Sequence, residues 1–218
     1  MQRPDRSPSD DLWEVMSTAR TIRRFTDEPV DDAVLRRCLE AATWAPSGAN
    51  MQGWRFIVLQ SPEMRAVVAE AAALALAVIE PVYGMRRPDA EDDSRAARSN
   101  RATYELHDRA GHYTSVLFAY EYWDSASELL LGGSIYPAIQ NFVLAARAQG
   151  LGTCLTSWAS YGGEELLRNA AAVPDNFMLA GHVVIGWPRG DFGPVRRKPV
   201  ASKTFLDRWD QPADSLFG

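Results

Sequence analysis

Several things are scarce in this chain, and each scarcity excludes something. Two cysteines, Cys38 and Cys154, stand far apart in 218 residues. That is too few for a disulfide framework, and it fits a reducing cytoplasm. The three histidines, His107, His112 and His182, offer no Cys/His spacing for zinc. His107 and His112 also miss the three- or four-residue spacing that stacks side chains on a helix. The longest wholly apolar run, residues 71–79, is nine residues, against the roughly 20 that a membrane span needs. Residues 1–11 are polar and proline-bearing, unlike a signal peptide with its apolar centre. The formal net charge of −5 argues against a broad nucleic-acid footprint. No G-x-G-x-x-G follows a first strand, so a Rossmann dinucleotide site lacks its fingerprint. The expectation is a cytoplasmic protein with neither nucleic acid nor membrane as a partner.

What is present describes one ordinary globular unit over residues 1–218, with 46% apolar and 23% charged residues. Ser9 is placed as an N-cap for a first helix, with Asp10 and Asp11 in its first turn and Leu12, Val15, Met16 and Ala19 on one face. A second helix follows Pro29-Val30-Asp31 and stops near Pro46. Residues 54–59 read as a strand. Ser61-Pro62-Glu63 opens a third helix that reaches about Ile79. Residues 81–112 are rich in Arg, Asp and Glu and read as a lid or insertion, partly helical. Residues 115–120 form a strand, and a long helix spans about 134–149, with Pro137 in its first turn and Gly150 at C′. Strands over 152–158 and 178–187 flank a short helix at 164–171. Beyond Pro188 the chain loses periodicity and reads as an extended arm over residues 188–218. Long helices among a few strands, without a βαβ repeat, predict an α+β fold with a central, mostly antiparallel sheet flanked by helices.

Three segments carry chemistry. Arg20-Thr21-Ile22-Arg23 places two guanidiniums and a hydroxyl within four residues, which suits a phosphate; read blandly, it is a solvated basic turn. Residues 46–54, Pro-Ser-Gly-Ala-Asn-Met-Gln-Gly-Trp, combine small residues with side-chain amides. Such a loop allows close approach of a flat heteroaromatic ring and matches its ring N and O atoms, although Asn and Gly also make ordinary turns. Residues 150–157, Gly-Leu-Gly-Thr-Cys-Leu-Thr-Ser, can bring strand backbone against a ring, or can be a helix cap followed by a core strand.

In order and spacing, these segments resemble the nitroreductase family over about residues 11–209. The matching residues are Arg20-Thr-Ile-Arg-Arg-Phe25 with Glu28-Pro29-Val30, and Ala45-Pro-Ser-Gly-Ala-Asn50 with Gln52 and Trp54-Arg-Phe56. Further on come Ala138-Ile-Gln-Asn141, Leu144-Ala-Ala-Arg147, Gly150-Leu-Gly-Thr153 and Arg197-Lys198-Pro199. The resemblance implies an FMN-dependent oxidoreductase, a homodimer with two flavin sites at its interface and a C-terminal arm exchanged between subunits. It implies that Arg20, Thr21, Arg23 and Arg197 hold the FMN phosphate and ribityl chain. Pro46, Ser47, Gly48, Asn50 and Gln52 would line the ring, with Gln52 coming from the partner's side. Leu155, Thr156 and Ser157 would present backbone near flavin N5. Ala19 stands where many relatives carry a second basic residue, which shifts weight onto Arg196 or Arg197. NADH or NADPH would deliver hydride in a ping-pong cycle, and a small aromatic acceptor such as a nitroaromatic or a quinone would take it. No dedicated acid–base residue is required, because the cofactor carries the chemistry.

Outside those motifs, Tyr83, Tyr104 and Tyr113 are candidate substrate-stacking rings, with plain packing as the alternative. Arg86, Arg87, Arg98 and Arg101 are candidates for a 2′-phosphate. His182, inside an apolar strand, reads as a satisfied core residue. Phe205 and Trp209 read as anchors of the arm. Competing functions are another FMN enzyme on the same scaffold (a biosynthetic dehydrogenase, a dehalogenase or a flavin-fragmenting enzyme), a non-catalytic flavin-binding protein, and an unliganded dimer.

Overall fold

The computed structural model describes residues 7–123 and 127–217. Helix α1 (Leu12–Thr18) is capped by Asp11, whose side chain accepts from the Glu14 N–H. The cap is therefore Asp11, not Ser9; the Ser9 hydroxyl donates instead to the Glu14 carboxylate at 2.6 Å. Helix α2 (Asp32–Thr43) is capped by Asp31 and buries Leu35, Cys38 and Ala42 on one stripe. Strand β1 (Trp54–Leu59) leads to α3 (Pro62–Tyr83), with Ser61 as N-cap. Then follow α4 (Arg95–Asp108), β2 (Thr114–Glu121), α5 (Glu128–Ala148), β3 (Gly152–Thr156), α6 (Glu164–Ala170) and β4 (Phe177–Gly186).

The four strands form one sheet in the order β1-β2-β4-β3, and every neighbouring pair is antiparallel. This is the α+β architecture expected. All of β2 but Glu121 is buried, and side-chain alternation splits it between two layers. Val116, Phe118 and Tyr120 join Val183 and Ile185 of β4 under α2 and α5. Leu117 and Val184 face the opposite way, into the layer formed by α3 and α4.

Two helices run further than their sequences suggest. Helix α3 continues through Pro81 to Tyr83, so the lid begins at Gly84, whose φ of 60° makes the left-handed cap. Helix α5 begins at Glu128 rather than near 134 and keeps Gly132, Gly133 and Pro137 in its interior. Leu131, Ile135, Ala138, Ile139 and Phe142 are buried against the sheet. That burial outweighs the roughly 1 kcal/mol per glycine and 3 kcal/mol for proline that an isolated helix would lose. Both helices are long and apolar enough to cross a membrane, by length and composition alone; here each packs on a face of the sheet.

The lid is a docked element. Helix α4 buries Ala97, Tyr104, Leu106 and His107, and Ala110 and Tyr113 belong to the core under α3. After Pro188 no helix longer than a 3-10 turn and no paired strand forms among the described residues. Val200, Trp209 and Leu216 remain exposed there, and the Phe205 and Trp209 rings lie 5.0 Å apart.

Candidate functional site

Arg20, Thr21 and Arg23 follow α1 directly. Their segment is stitched to the edge of β3, with Thr21 bridging Thr153 and the Ile22 N–H donating to Thr153 O at 2.8 Å. Gly152 permits this approach: a Cβ built on it would lie 2.9 Å from Ile22 Cβ. The C-terminal segment closes from the other side through the Val195 N–H, which donates to Ser17 O at 2.8 Å.

Beneath both segments lies Arg147 of α5. Its buried guanidinium donates to Thr18 Oγ1 at 2.8 Å, Ser7 O at 3.3 Å and Glu14 Oε1 at 3.0 Å. Its guanidinium carbon also sits 4.1 Å from the Phe192 ring centroid. One buried cation therefore fixes the chain before Arg20 and the chain before Arg197.

The result is a groove of about 560 Å³ lined by Arg20, Thr21, Arg23, Arg95, Arg98 and residues 194–197. The sequence brings Arg20, Thr21, Arg23 and Arg197 together as expected, and Arg196 joins them. Among the described residues, none of these arginines is ion-paired. Arg24, the next in the run, is spent otherwise: it pairs with Glu105 of α4 at 3.0 Å, and Arg189 meets the same carboxylate. These contacts dock the lid helix beside the groove.

A second cavity of about 430 Å³ adjoins at Arg23. It is bordered by Leu155, Thr156 and Ser157, by Tyr83 and Tyr161, and by Thr103, His107 and Trp158. Leu155 is 48% exposed at this strand end. The Thr156 hydroxyl turns inward and is used twice, with His182 Nδ1 at 2.9 Å and His182 O at 3.1 Å. It donates to the carbonyl and accepts from Nδ1–H. His182 Nε2 then accepts from Ser115 Oγ at 2.8 Å. A wholly buried imidazole is thus satisfied in its neutral form, and burial lowers its pKa to about 3. With its hydroxyl committed, Thr156 has only main chain to offer the cavity.

His107 is fixed in the same manner. Its Nδ1 donates to Thr103 O at 2.8 Å and its Nε2 accepts from the Trp158 indole at 2.9 Å. Burial lowers its pKa. Both ring nitrogens are occupied, so His107 locks α4 to the residue following Ser157.

The aromatic expectation needs correction. Tyr104 is 2% exposed and hydrogen-bonds Glu80 at 2.8 Å, while Tyr113 is 4% exposed and packs edge-on to Phe25. Apolar contacts of α4 and β2 hold both rings inside the fold, and neither borders the second cavity. Tyr83 does border it, joined to Tyr161 through a hydroxyl pair at 2.6 Å. Tyr161 lies in an irregular turn with φ −109°, a conformation that carries no sequence signature.

Residues 46–52 stand elsewhere and line neither cavity. Ala49, Asn50 and Gln52 all have positive φ, at 49°, 55° and 51°. Non-glycine residues in this region cost on the order of 1 kcal/mol each, and such strain clusters at functional loops. It is held by Gln52 Nε2 donating to Asn50 Oδ1 at 3.0 Å, the Gln52 N–H to Ser47 Oγ at 3.1 Å, and the Gly48 N–H to Ser134 Oγ at 3.2 Å. Pro46, Gly48, Asn50 and Gln52 are exposed.

Sequence reasoning missed Arg95 and Tyr161. Arg95 and Arg98 are three residues apart and so share a helix face, but only the docking of α4 aims that face at Arg20.

Residues 16–187 match the model of the Nitroreductase family. The 5,6-dimethylbenzimidazole synthase of Rhodospirillum rubrum is 28% identical, with 85% of each chain covered. A protein named putative NADH dehydrogenase/NAD(P)H nitroreductase from Archaeoglobus fulgidus is 27% identical over 84% of this chain and 88% of its own. Among solved structures, a putative nitroreductase from Desulfovibrio desulfuricans in complex with FMN superposes with a TM-score of 0.63. It is 23% identical and covers 92% of this chain and 99% of its own.

Proposed function

The chain belongs to the nitroreductase family, and from that premise we propose that it is an FMN-dependent oxidoreductase, active as a cytoplasmic homodimer. It would pass electrons from NADH or NADPH to a small aromatic acceptor, such as a nitroaromatic or a quinone. The observation that carries this reading is the cluster of arginines, without an ion pair among the described residues, opening at Arg23 onto a cavity floored by the exposed end of β3. Its polarity suits a ligand with a phosphate at one end and a flat ring at the other.

FMN, when bound, would supply two-electron redox chemistry between the nicotinamide and the acceptor. The protein's part is binding and orientation. Arg20, Arg23 and Arg197 hold the phosphate through charge-assisted hydrogen bonds, and Thr21 assists with its hydroxyl. Leu155, Thr156 and Ser157 offer main-chain groups to the ring. Their strand is anchored by the Thr156–His182–Ser115 chain. Tyr83 and Tyr161 wall the mouth of the ring cavity, where the acceptor enters.

What one protomer leaves unfinished supports the homodimer. Leu12 and Trp13 of α1, Trp44, Met51, and Leu129 and Leu130 of α5 are all well exposed. Exposed apolar side chains in such number mark an interaction surface. The strained loop of Pro46, Ser47, Gly48, Asn50 and Gln52 rests on α5 near this surface. We assign it to the flavin site of a second copy, and the exposed Trp209 to an arm that docks across the interface.

The test is the visible spectrum of the purified protein, then NAD(P)H addition with and without a nitroaromatic. The reading expects a yellow protein bleached by NAD(P)H and reoxidised by the acceptor. A colourless protein that takes up no added FMN would overturn it. The relative named 5,6-dimethylbenzimidazole synthase favours a second reading, a biosynthetic FMN enzyme. In that case FMN binds, but NAD(P)H oxidation does not respond to nitroaromatics or quinones.

A further inference from the structure

The arginine groove holds more positive charge than one phosphate can use. Among the described residues, six guanidiniums line it: Arg20, Arg23, Arg95, Arg98, Arg196 and Arg197. A phosphate monoester carries about −1.5 to −2 at neutral pH. Asp191 borders an adjoining pocket and already has an interaction of its own. Four arginines of the set come from the segment after α1 and from the C-terminal segment, and two come from a different element, the docked lid helix. That second pair continues along α4 into the adjoining space of about 400 Å³ with Ser99 and Ala102.

Two of the lid's other arginines are occupied within the lid itself. Arg87 forms a bidentate pair with Asp108 at 2.6 and 2.7 Å. Arg101 donates to the carbonyls of Asp89 at 3.0 Å and Asp92 at 2.7 Å, closing the lid's own loop. Arg98 donates to the Asp93 carbonyl, a neutral partner that leaves its charge uncompensated. Arg95 has no partner among the described residues. Of the lid's cations, then, these two are directed at the groove and available to an anion.

We propose that Arg95 and Arg98 form a second phosphate subsite, beside the one at Arg20, Arg23 and Arg197, which receives the 2′-phosphate of NADPH and makes this protein prefer NADPH to NADH. The inference rests on the FMN reading, because it takes the first subsite as filled by FMN. Two exposed guanidiniums meeting a dianion give a preference of about tenfold. The attraction weakens as salt screens it, with a Debye length of about 8 Å at 0.15 M.

The test uses FMN-loaded protein and two probes that differ only by the phosphate, 2′,5′-ADP and 5′-AMP, titrated calorimetrically at 50 and 300 mM salt. The inference expects 2′,5′-ADP to bind about tenfold more tightly than 5′-AMP at low salt, with the difference shrinking at high salt. It expects the R95Q/R98Q double variant to lose that difference while keeping a full complement of FMN. Kinetically, the NADPH-to-NADH ratio of kcat/KM should fall about tenfold in the variant. Equal binding of the two probes by the wild-type protein would overturn the inference without touching the FMN reading. So would a double variant that keeps the preference, or one that loses FMN, since Arg95 and Arg98 would then belong to the first subsite. A protein that binds no FMN would overturn both.

Discussion

His182 should make the stability of this protein fall on mild acidification. The imidazole is fully buried at the centre of the sheet, and its pKa is lowered to about 3 by that burial. Both ring nitrogens are engaged in the neutral form, with Thr156 and Ser115. In the unfolded chain the same group titrates near 6.5. Below that value the unfolded state binds a proton that the folded state refuses, so stability drops as pH falls. The contribution is whole above pH 6.5 and diminishes down to about pH 3. The slope is about 1.4 kcal/mol per pH unit, giving a loss of about 2 kcal/mol between pH 6.5 and 5. His107, whose pKa is also lowered by burial, acts in the same direction. Asp108, held below its usual range by Arg87, acts below the pH 6.5–5 interval and does not blur it. Urea unfolding at pH 7.5, 6.5, 5.7 and 5.0, followed by tryptophan fluorescence, measures the effect. A His182→Gln protein should be less stable at neutral pH yet show a shallower pH slope. A wild-type stability that stays flat from pH 6.5 to 5 would refute the reasoning.

Three further outcomes are expected. Replacing Arg20 and Arg197 together with alanine should lower FMN affinity by at least a hundredfold, read from quenching of FMN fluorescence, since each charge-assisted bond contributes about 1.5–3 kcal/mol; retention of FMN at wild-type affinity would remove the phosphate assignment. Arg147→Met should cost about 2–4 kcal/mol of stability by stranding its hydrogen-bond partners, and should weaken FMN binding although Arg147 lines neither cavity. A destabilised protein with unchanged FMN affinity would show that the two walls do not depend on it. Gly152→Ala forces a methyl to 2.9 Å from Ile22, an overpacking cost of about 1–3 kcal/mol; it should displace Arg20 and Arg23 and raise the Kd for FMN, whereas Gly48→Ala, where a Cβ meets nothing within 4 Å, should keep the wild-type fold stability.

Several features were settled locally, and these the sequence determined by itself. Asp31, Ser61 and Gly150 mark helix ends because capping is decided within a few residues, and Gly150 indeed has φ 82°. Strand β1 was legible to the residue because β-branched and aromatic side chains are bounded by Gly53 and Ser61. The pairing of Arg20, Thr21 and Arg23 with Arg197 was legible too, through a family pattern spread along the chain. Only the tertiary structure decided the rest. Helix α5 passes through Gly132, Gly133 and Pro137 because burial of Leu131 and Ile135 outweighs propensity. Tyr104 and Tyr113 went inside, and Tyr83 with Tyr161 took the cavity mouth, because which face of a helix meets the sheet depends on packing partners distant in sequence. The lid's charges sorted in the same way. Arg87 and Arg101 closed on their own loop, while docking through His107–Trp158 and Glu105 turned Arg95 and Arg98 toward the groove. A sequence carries the charges, and a fold decides which of them are left unpaired.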